Sequence, residues 1–207
     1  MFGVSGLLIE RSRRADGSRF KVGLTYATWS VVWIAAHVIG GGIVGAVLGT
    51  LGGRLPLPRH GFVAYALGIT LGMAGLHNLG VLRLPMPQIQ RQVPRVWLVR
   101  FPLVWIAVGY GVQLGAGVTT RITNFATYAT LVAAILTRNA AEGALIMAAF
   151  GTARALPAVF VGPFVGTPQR SLAAALAVEE WEERVHRASG ALLLVGAFLV
   201  AVFIGAI

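Results

Sequence analysis

The sequence predicts an all-α integral membrane protein of about five transmembrane helices, one of them broken near its middle. Of its 207 residues, 57% are hydrophobic and only 12% are charged, whereas an ordinary soluble domain has about 25% charged residues. A chain with so few charged side chains lacks the material for a fully polar surface, so we expect lipid to cover it. The third observation is a series of apolar stretches long enough to cross a bilayer.

A helix needs about 20 apolar residues to cross the hydrocarbon core of a membrane. Four stretches qualify as single spans, and a fifth is too long for one straight helix. The single spans are residues 24–51, 61–82, 142–165 and 188–207, and the long stretch is 101–137. Residues 1–23 form a basic segment that we expect in the cytoplasm, and residues 24–207 form one transmembrane helical domain.

The net charge is +10, and the basic residues lie mainly in the segments between apolar stretches. Such loops keep Lys and Arg on the cytoplasmic side of the membrane, so the charge predicts topology and no nucleic-acid partner. If the stretch 101–137 crosses once, most of the basic residues fall on one side. This predicts a cytoplasmic N-terminus and a C-terminus outside the cell membrane, and two crossings would weaken the bias.

The predicted break in the long stretch carries the main candidate site. Small residues at 115–117 loosen the helix, and the polar side chains that follow can satisfy the freed backbone groups. An arginine inside a span costs about 2.5–3.5 kcal/mol, so Arg121 should face a ligand, a carboxylate or a cavity. We predict an anion or headgroup site there, with a snorkelling Arg121 as the alternative. Its residues are Thr119, Thr120, Arg121, Thr123 and Asn124.

Three further ionisable residues lie inside the predicted spans. His37 and His77 are candidates for a ligand pair or a proton relay, and hydrogen bonds to backbone carbonyls are the alternative. Their spacing matches no metal-binding motif, so no metal and no cofactor is predicted. Arg154 is predicted to be a buried charge that needs a partner.

Two surfaces complete the sequence-based prediction. Gly45, Gly49 and Gly53 recur at steps of four and predict a close-packing helix face, used within the chain or against a partner helix. Residues 171–187 are predicted to form a short amphipathic or surface helix. The acidic residues of 179–183, with nearby arginines, predict a solvated face of this helix, and a docking patch is the alternative.

Four glycine- and leucine-rich stretches resemble the CcdA/DsbD transmembrane family in order and spacing. They are residues 68–85 (GITLGMAGLHNLGVLRLP), 108–115 (VGYGVQLG), 150–157 (FGTARALP) and 189–196 (SGALLLVG). The resemblance implies a scaffold of two inverted three-helix repeats and a link to cytochrome c biogenesis in the inner membrane. That family carries reductant through a cysteine pair, whereas this chain has no cysteine and cannot exchange disulfides.

These observations leave three functions open, none of them enzymatic. The main prediction is a small-solute transporter, with an anion as a candidate solute, on a CcdA-like scaffold without thiol chemistry. The alternative is a non-catalytic accessory or assembly subunit of a membrane complex. The second alternative is a reductant-transfer protein for periplasmic maturation. The expected partners are the lipid bilayer and either a second copy or a membrane subunit that supplies a missing helix.

Overall fold

A computed structural model describes residues 19–56, 61–85, 102–117, 124–161 and 168–205. Within these ranges the chain forms six α-helices and no strand, which confirms the all-α prediction. The helices are α1 (Arg19–Arg54), α2 (Phe62–Asn78), α3 (Leu103–Gly115), α4 (Ala126–Leu136), α5 (Ala140–Val161) and α6 (Pro168–Gly205).

Three of the helices contain segments long and apolar enough to cross a membrane. These segments are Tyr26–Arg54 in α1, Ala140–Phe160 in α5 and Glu180–Phe203 in α6. The other two predicted spans correspond to α2, which has 17 residues, and to the pair formed by α3 and α4. The part of the chain that the structure describes therefore has three membrane-length helices, whereas the sequence predicts five spans.

The long apolar stretch is interrupted where its small residues predict a break. Helix α3 ends at Gly115 after 13 residues, and α4 starts at Ala126 and has 11 residues. Between them Gly117 has a φ of 72°, a left-handed conformation that glycine adopts without steric cost. Each of these helices is too short to cross the hydrocarbon core alone.

The stretch 171–187, predicted as a short amphipathic or surface helix, is helical, but the helix does not end at residue 187. These residues form the N-terminal part of α6, which continues without interruption to Gly205. The sequence from 169 to 189 contains no Gly or Pro and is rich in Ala, Leu, Glu and Arg, which are strong helix formers. Nothing therefore ends the helix where its composition changes from charged to apolar.

Helices α1 and α5 form an antiparallel pair with very close backbones. Three glycines of α1 face successive turns at the start of α5, and a Cβ at any of them would collide with a carbonyl oxygen there. The facing pairs are Gly41 with Met147, Gly45 with Gly143, and Gly49 with Asn139. Small residues at such a step let membrane helices approach closely and gain van der Waals contact.

A second antiparallel pair joins α2 to α6. Gly75 lies against Leu194 near one end of this pair, and Gly68 lies against Val200 near the other. Helix α4 packs against α2 as well as against α1 and α5. It therefore connects the two helix pairs.

Helices α3 and α4 follow α1 in the same direction. Gly115 at the end of α3 packs against His37 in the middle of α1, and Ile135 near the end of α4 lies against Gly52. The chain thus advances along α1 from its middle to its C-terminal end as it passes from α3 through the break to α4.

Candidate functional site at the helix break

Three polar side chains meet at the start of α4 and form a hydrogen-bonded ring, named here the polar ring. Asn78 ends α2, Asn124 precedes α4, and Ser189 belongs to α6. Nδ2 of Asn78 donates to Oδ1 of Asn124 (2.7 Å) and to Oγ of Ser189 (3.1 Å). Nδ2 of Asn124 also donates to Oγ of Ser189 (3.0 Å). The ring therefore joins three elements that are distant in sequence.

The polar ring is also bonded to the backbone. Oδ1 of Asn78 accepts from the N–H of Phe125 (3.2 Å), and Oδ1 of Asn124 accepts from the N–H of Ala126 (2.8 Å). These N–H groups lie at the start of α4 and have no partner within the helix. Since every side chain of the ring is bonded to another part of the chain, we interpret it as a structural joint and not as an open ligand site.

His77 lies next to the polar ring and supports the same region. Its Nδ1 accepts a hydrogen bond from the N–H of Leu84 (3.1 Å), and its ring centroid is 4.8 Å from that of Phe125. An Nδ1 that accepts carries no proton, so the neutral imidazole is protonated at Nε2. His77 thereby links the turn after α2 to the residue that starts α4.

His37 lies on the other side of the break and is completely buried. Its Nδ1 donates to the carbonyl oxygen of Trp33 (2.8 Å), which leaves the lone pair of the neutral ring on Nε2. That nitrogen has no hydrogen-bond partner among the described residues. His37 and His77 therefore hold opposite tautomers and bind different partners.

An aromatic ladder continues from His37 along the same face of α1. From Tyr26 to His37, the centroids of successive rings are 5.9, 5.1 and 4.5 Å apart. The hydroxyl of Tyr26 donates to the carbonyl of Val159 (2.5 Å), and Nε1 of Trp33 donates to that of Ala155 (3.3 Å). These bonds fix α1 to the last turns of α5. The members of the ladder are Tyr26, Trp29, Trp33 and His37.

Arg154 lies on α5 and is only partly buried. Its guanidinium carbon is 5.9 Å from the centre of the Phe150 ring, a distance that permits a cation–π interaction. The neighbouring residue Ala155 accepts a hydrogen bond from Trp33 on α1. The predicted buried charge is therefore near the aromatic ladder and partly covered by an aromatic ring.

The remaining predicted site residues fall into two groups. Thr119, Thr120, Arg121 and Thr123 lie outside the described residues, so the anion or headgroup site remains a prediction, and Asn124 belongs to the polar ring. Gly45 and Gly49 face α5, and Gly53 lies beside the carbonyl of Arg138. Over the described ranges, no three His, Asp or Glu residues are grouped closely enough to hold a metal ion.

Three residues that shape this region were not predicted from the sequence. Asn78 and Ser189 complete the polar ring, and an amide inside an apolar stretch was the available signal, because it needs a partner there. Asn139 caps α5, since its Oδ1 accepts from the N–H of Ala141 (2.8 Å). The signal for this cap was an Asn three residues before Glu142 at the start of an apolar run.

The fold and the site together define a helical protein with membrane-length apolar segments and a polar joint at a broken helix. By sequence the chain is similar to the methylamine utilization protein MauF of several bacteria, among them Methylorubrum extorquens, Paracoccus versutus and Methylophilus methylotrophus. It is 37% identical to that of Methylorubrum extorquens over 167 residues, which cover 80% of this chain and 55% of the relative.

The other two relatives give similar values. MauF of Paracoccus versutus is 36% identical over 138 residues, which are 64% of this chain and 48% of the relative. MauF of Methylophilus methylotrophus is 30% identical over 190 residues, which are 91% of this chain and 64% of the relative. The chain thus spans about half the length of the first two. No protein-family model matches the chain, and no solved structure matches it.

These relatives correct two predictions. The resemblance to the CcdA/DsbD family, and with it the link to cytochrome c biogenesis, is wrong, because the matches point to MauF. The motifs behind it are rich in Gly and Leu, and small residues such as Gly recur wherever membrane helices pack closely. The transporter prediction is also wrong, since the relatives are named for methylamine utilization and not for transport. The accessory-subunit alternative agrees better with them.

Proposed function

We propose that this protein is a non-catalytic membrane accessory protein that supports methylamine utilization. The observation that carries the proposal is the similarity to MauF of methylamine-using bacteria, at 37% and 36% identity for the first two. The name of these relatives refers to a process and not to a reaction. An accessory role is the interpretation that fits both this name and the polar ring, whose groups bond to one another.

The chemistry of the chain argues against the reductant-transfer alternative. Thiol–disulfide exchange needs a thiolate as the attacking group, and the sequence contains no cysteine. We therefore expect any contribution to methylamine utilization to come through binding and assembly of other proteins. A second copy or a partner membrane subunit is the expected partner.

We propose five crossings, with the N-terminus in the cytoplasm and the C-terminus outside the cell membrane. The antiparallel packing of α1 against α5 supports this topology, because α5 runs opposite to α1 only if α3 and α4 together cross once after α2 has returned. The shared direction of α3, α4 and α1 supports the same conclusion. The bias of basic residues gives the orientation.

Deleting the gene for this chain in its host should abolish growth on methylamine as the sole carbon and nitrogen source. Growth on succinate with ammonium should not change, because the proposed role is confined to methylamine use. Both growth rates are measured in the same strain, and a plasmid copy of the intact gene should restore growth on methylamine. Unchanged growth of the deletion strain on methylamine would rule out the proposed role.

A Gly42→Ala copy is a suitable control for complementation. Gly42 has open space where a Cβ would be added, so this variant should restore growth as well as the wild type. Failure of the intact gene to restore growth would assign the defect to something other than this chain.

A further inference from the structure

A stripe of apolar side chains, named here the α6 stripe, runs along the exposed face of α6. Its members are alternately four and three residues apart, which is the spacing of the contact positions in a two-helix coiled coil. The larger ones are between 52% and 72% exposed. In order they are Trp181, Val185, Ala188, Leu192, Val195, Leu199 and Val202.

The stripe lies opposite the face that packs within the chain. Gly190, Leu194, Ala197 and Val200 of α6 lie against α2. At 100° per residue these four positions point about 180° away from the centre of the stripe. Helix α6 therefore has two distinct apolar faces, and α2 packs against one of them.

The stripe extends beyond the apolar part of α6. Residues 179–187 contain six Glu and Arg side chains, a density that hydrocarbon does not tolerate, so this section lies in water or among headgroups. Trp181 and Val185 nevertheless continue the stripe there and are 56% and 53% exposed. Contact with lipid tails accounts for exposed apolar residues inside the hydrocarbon core. It does not account for apolar residues that keep the spacing of the stripe in the charged section of α6.

A partner for this face must match it in two environments. It must be apolar beside Leu192 and Leu199, and it must accept charged neighbours beside Trp181 and Val185. A second copy of α6 meets both conditions. Two copies in one membrane have the same orientation and depth, so their stripes meet in parallel and in register.

The charges of α6 are compatible with this pairing. In a parallel coiled coil, residues that flank the contact face meet the partner's residues five positions further on. Here Ala177 would meet Glu182, and Arg184 would meet Ser189, so no like charges face each other. Away from the partner, Glu180 already pairs with Arg184 and Glu183 with Arg187 of the same helix.

We propose that two copies of this protein associate through a parallel coiled coil between their α6 helices, with the α6 stripe as the contact face. The interface includes the membrane part of α6 and at least two turns of its charged extension. This inference goes beyond the accessory role and does not depend on it.

Because the chain has no native cysteine, single cysteines can test this face directly in native membranes. Leu199→Cys lies on the stripe, and Ala201→Cys lies about 200° around the helix from it, at a similar depth, and both positions are exposed. Val185→Cys and Glu183→Cys form a second pair in the charged extension. After oxidation with copper phenanthroline, disulfide-linked dimers should be several-fold more abundant for Leu199→Cys and Val185→Cys than for their controls.

Each other outcome contradicts the proposal. Equal dimer yields within the pairs would mean random collision of a face that lipid covers. Dimers at position 199 without dimers at position 185 would show that the two copies touch only inside the membrane, which contradicts a coiled coil that includes the charged extension. Crosslinks only to proteins of other masses would show that the stripe contacts a different subunit and not a second copy. Dimerisation is measured in any expression host, so its failure is distinct from a failure of the growth test.

Discussion

Asn78 shows why a single amide can matter in a chain that is mostly apolar. Its side chain takes part in three hydrogen bonds, to Asn124, to Ser189 and to the N–H of Phe125. An unpaired amide in an apolar environment costs about 1–3 kcal/mol, so this position is favourable only because all three partners converge on it. Its own helix provides none of them.

Replacing Asn78 with Ala should destabilise the protein by about 2 kcal/mol, taking about 0.6 kcal/mol for each hydrogen bond between membrane helices. The loss should also loosen α4 from α2 and α6, because the ring is their shared joint. Thermal unfolding of the purified protein in mild detergent measures the effect.

Thr70→Ala is the matched control on the same helix. Thr70 donates only to the carbonyl of Ala66 one turn earlier, so its removal should change the unfolding temperature much less. If the two variants were equally stable, the polar ring would not be the joint between these helices.

At the scale of the elements, the close packing of α1 against α5 holds the core together. Its glycine contacts bring backbone against backbone, and the aromatic ladder extends the pair beyond them by bonding Tyr26 and Trp33 to carbonyls of α5. Such packing depends on shape, since apolar side chains gain little by leaving lipid for another helix.

Gly45→Ala should therefore separate α1 from α5. The added Cβ would collide with the carbonyl of Gly143 and lie 2.7 Å from the Cβ of Met147, and overpacking of this kind costs about 1–3 kcal/mol. We expect a lower unfolding temperature in detergent and faster trypsin digestion.

Gly42→Ala serves as its control three residues away. The position is open, and Ala favours a helix over Gly by about 1 kcal/mol, so this variant should be at least as stable as the wild type. A Gly45→Ala protein with the same stability would show that the two helices are not in close contact.

At the scale of the whole molecule, the direction of α5 fixes how often the chain crosses the membrane. The connection between α4 and α5 includes Asn139, which caps α5, and the exposed Ala140. With one net crossing by α3 and α4, this connection lies outside the cell membrane. With two crossings it lies in the cytoplasm.

A single cysteine at Ala140 should react with a membrane-impermeant maleimide in intact cells. A cysteine at Arg187, in the charged part of α6, should react only after the cells are lysed, because that section lies on the cytoplasmic side in the proposed topology. The reverse pattern of labelling would contradict this topology, because either an inverted orientation or two crossings by residues 101–137 would place Ala140 in the cytoplasm and Arg187 outside. Protection of both positions in intact cells would mean that α5 does not cross the membrane.

Much of the architecture could be predicted from local sequence. The apolar lengths located α1, α5 and the membrane part of α6, and Gly115 with Gly117 located the break, because helix length and flexibility depend on neighbouring residues. The continuity of α6 from Pro168 to Gly205 was missed, since the change from charged to apolar residues suggested a boundary that the backbone does not have.

By itself, the sequence determined that this is an all-helical chain with membrane-length apolar segments and no thiol chemistry, since composition and the missing cysteines are local facts. Only the tertiary structure decided that Asn78, Asn124 and Ser189 meet, that His37 and His77 have separate partners, and that α1 runs opposite to α5. The reason is physical: these contacts join residues up to 133 positions apart, and no local pattern specifies which distant helices will pack together.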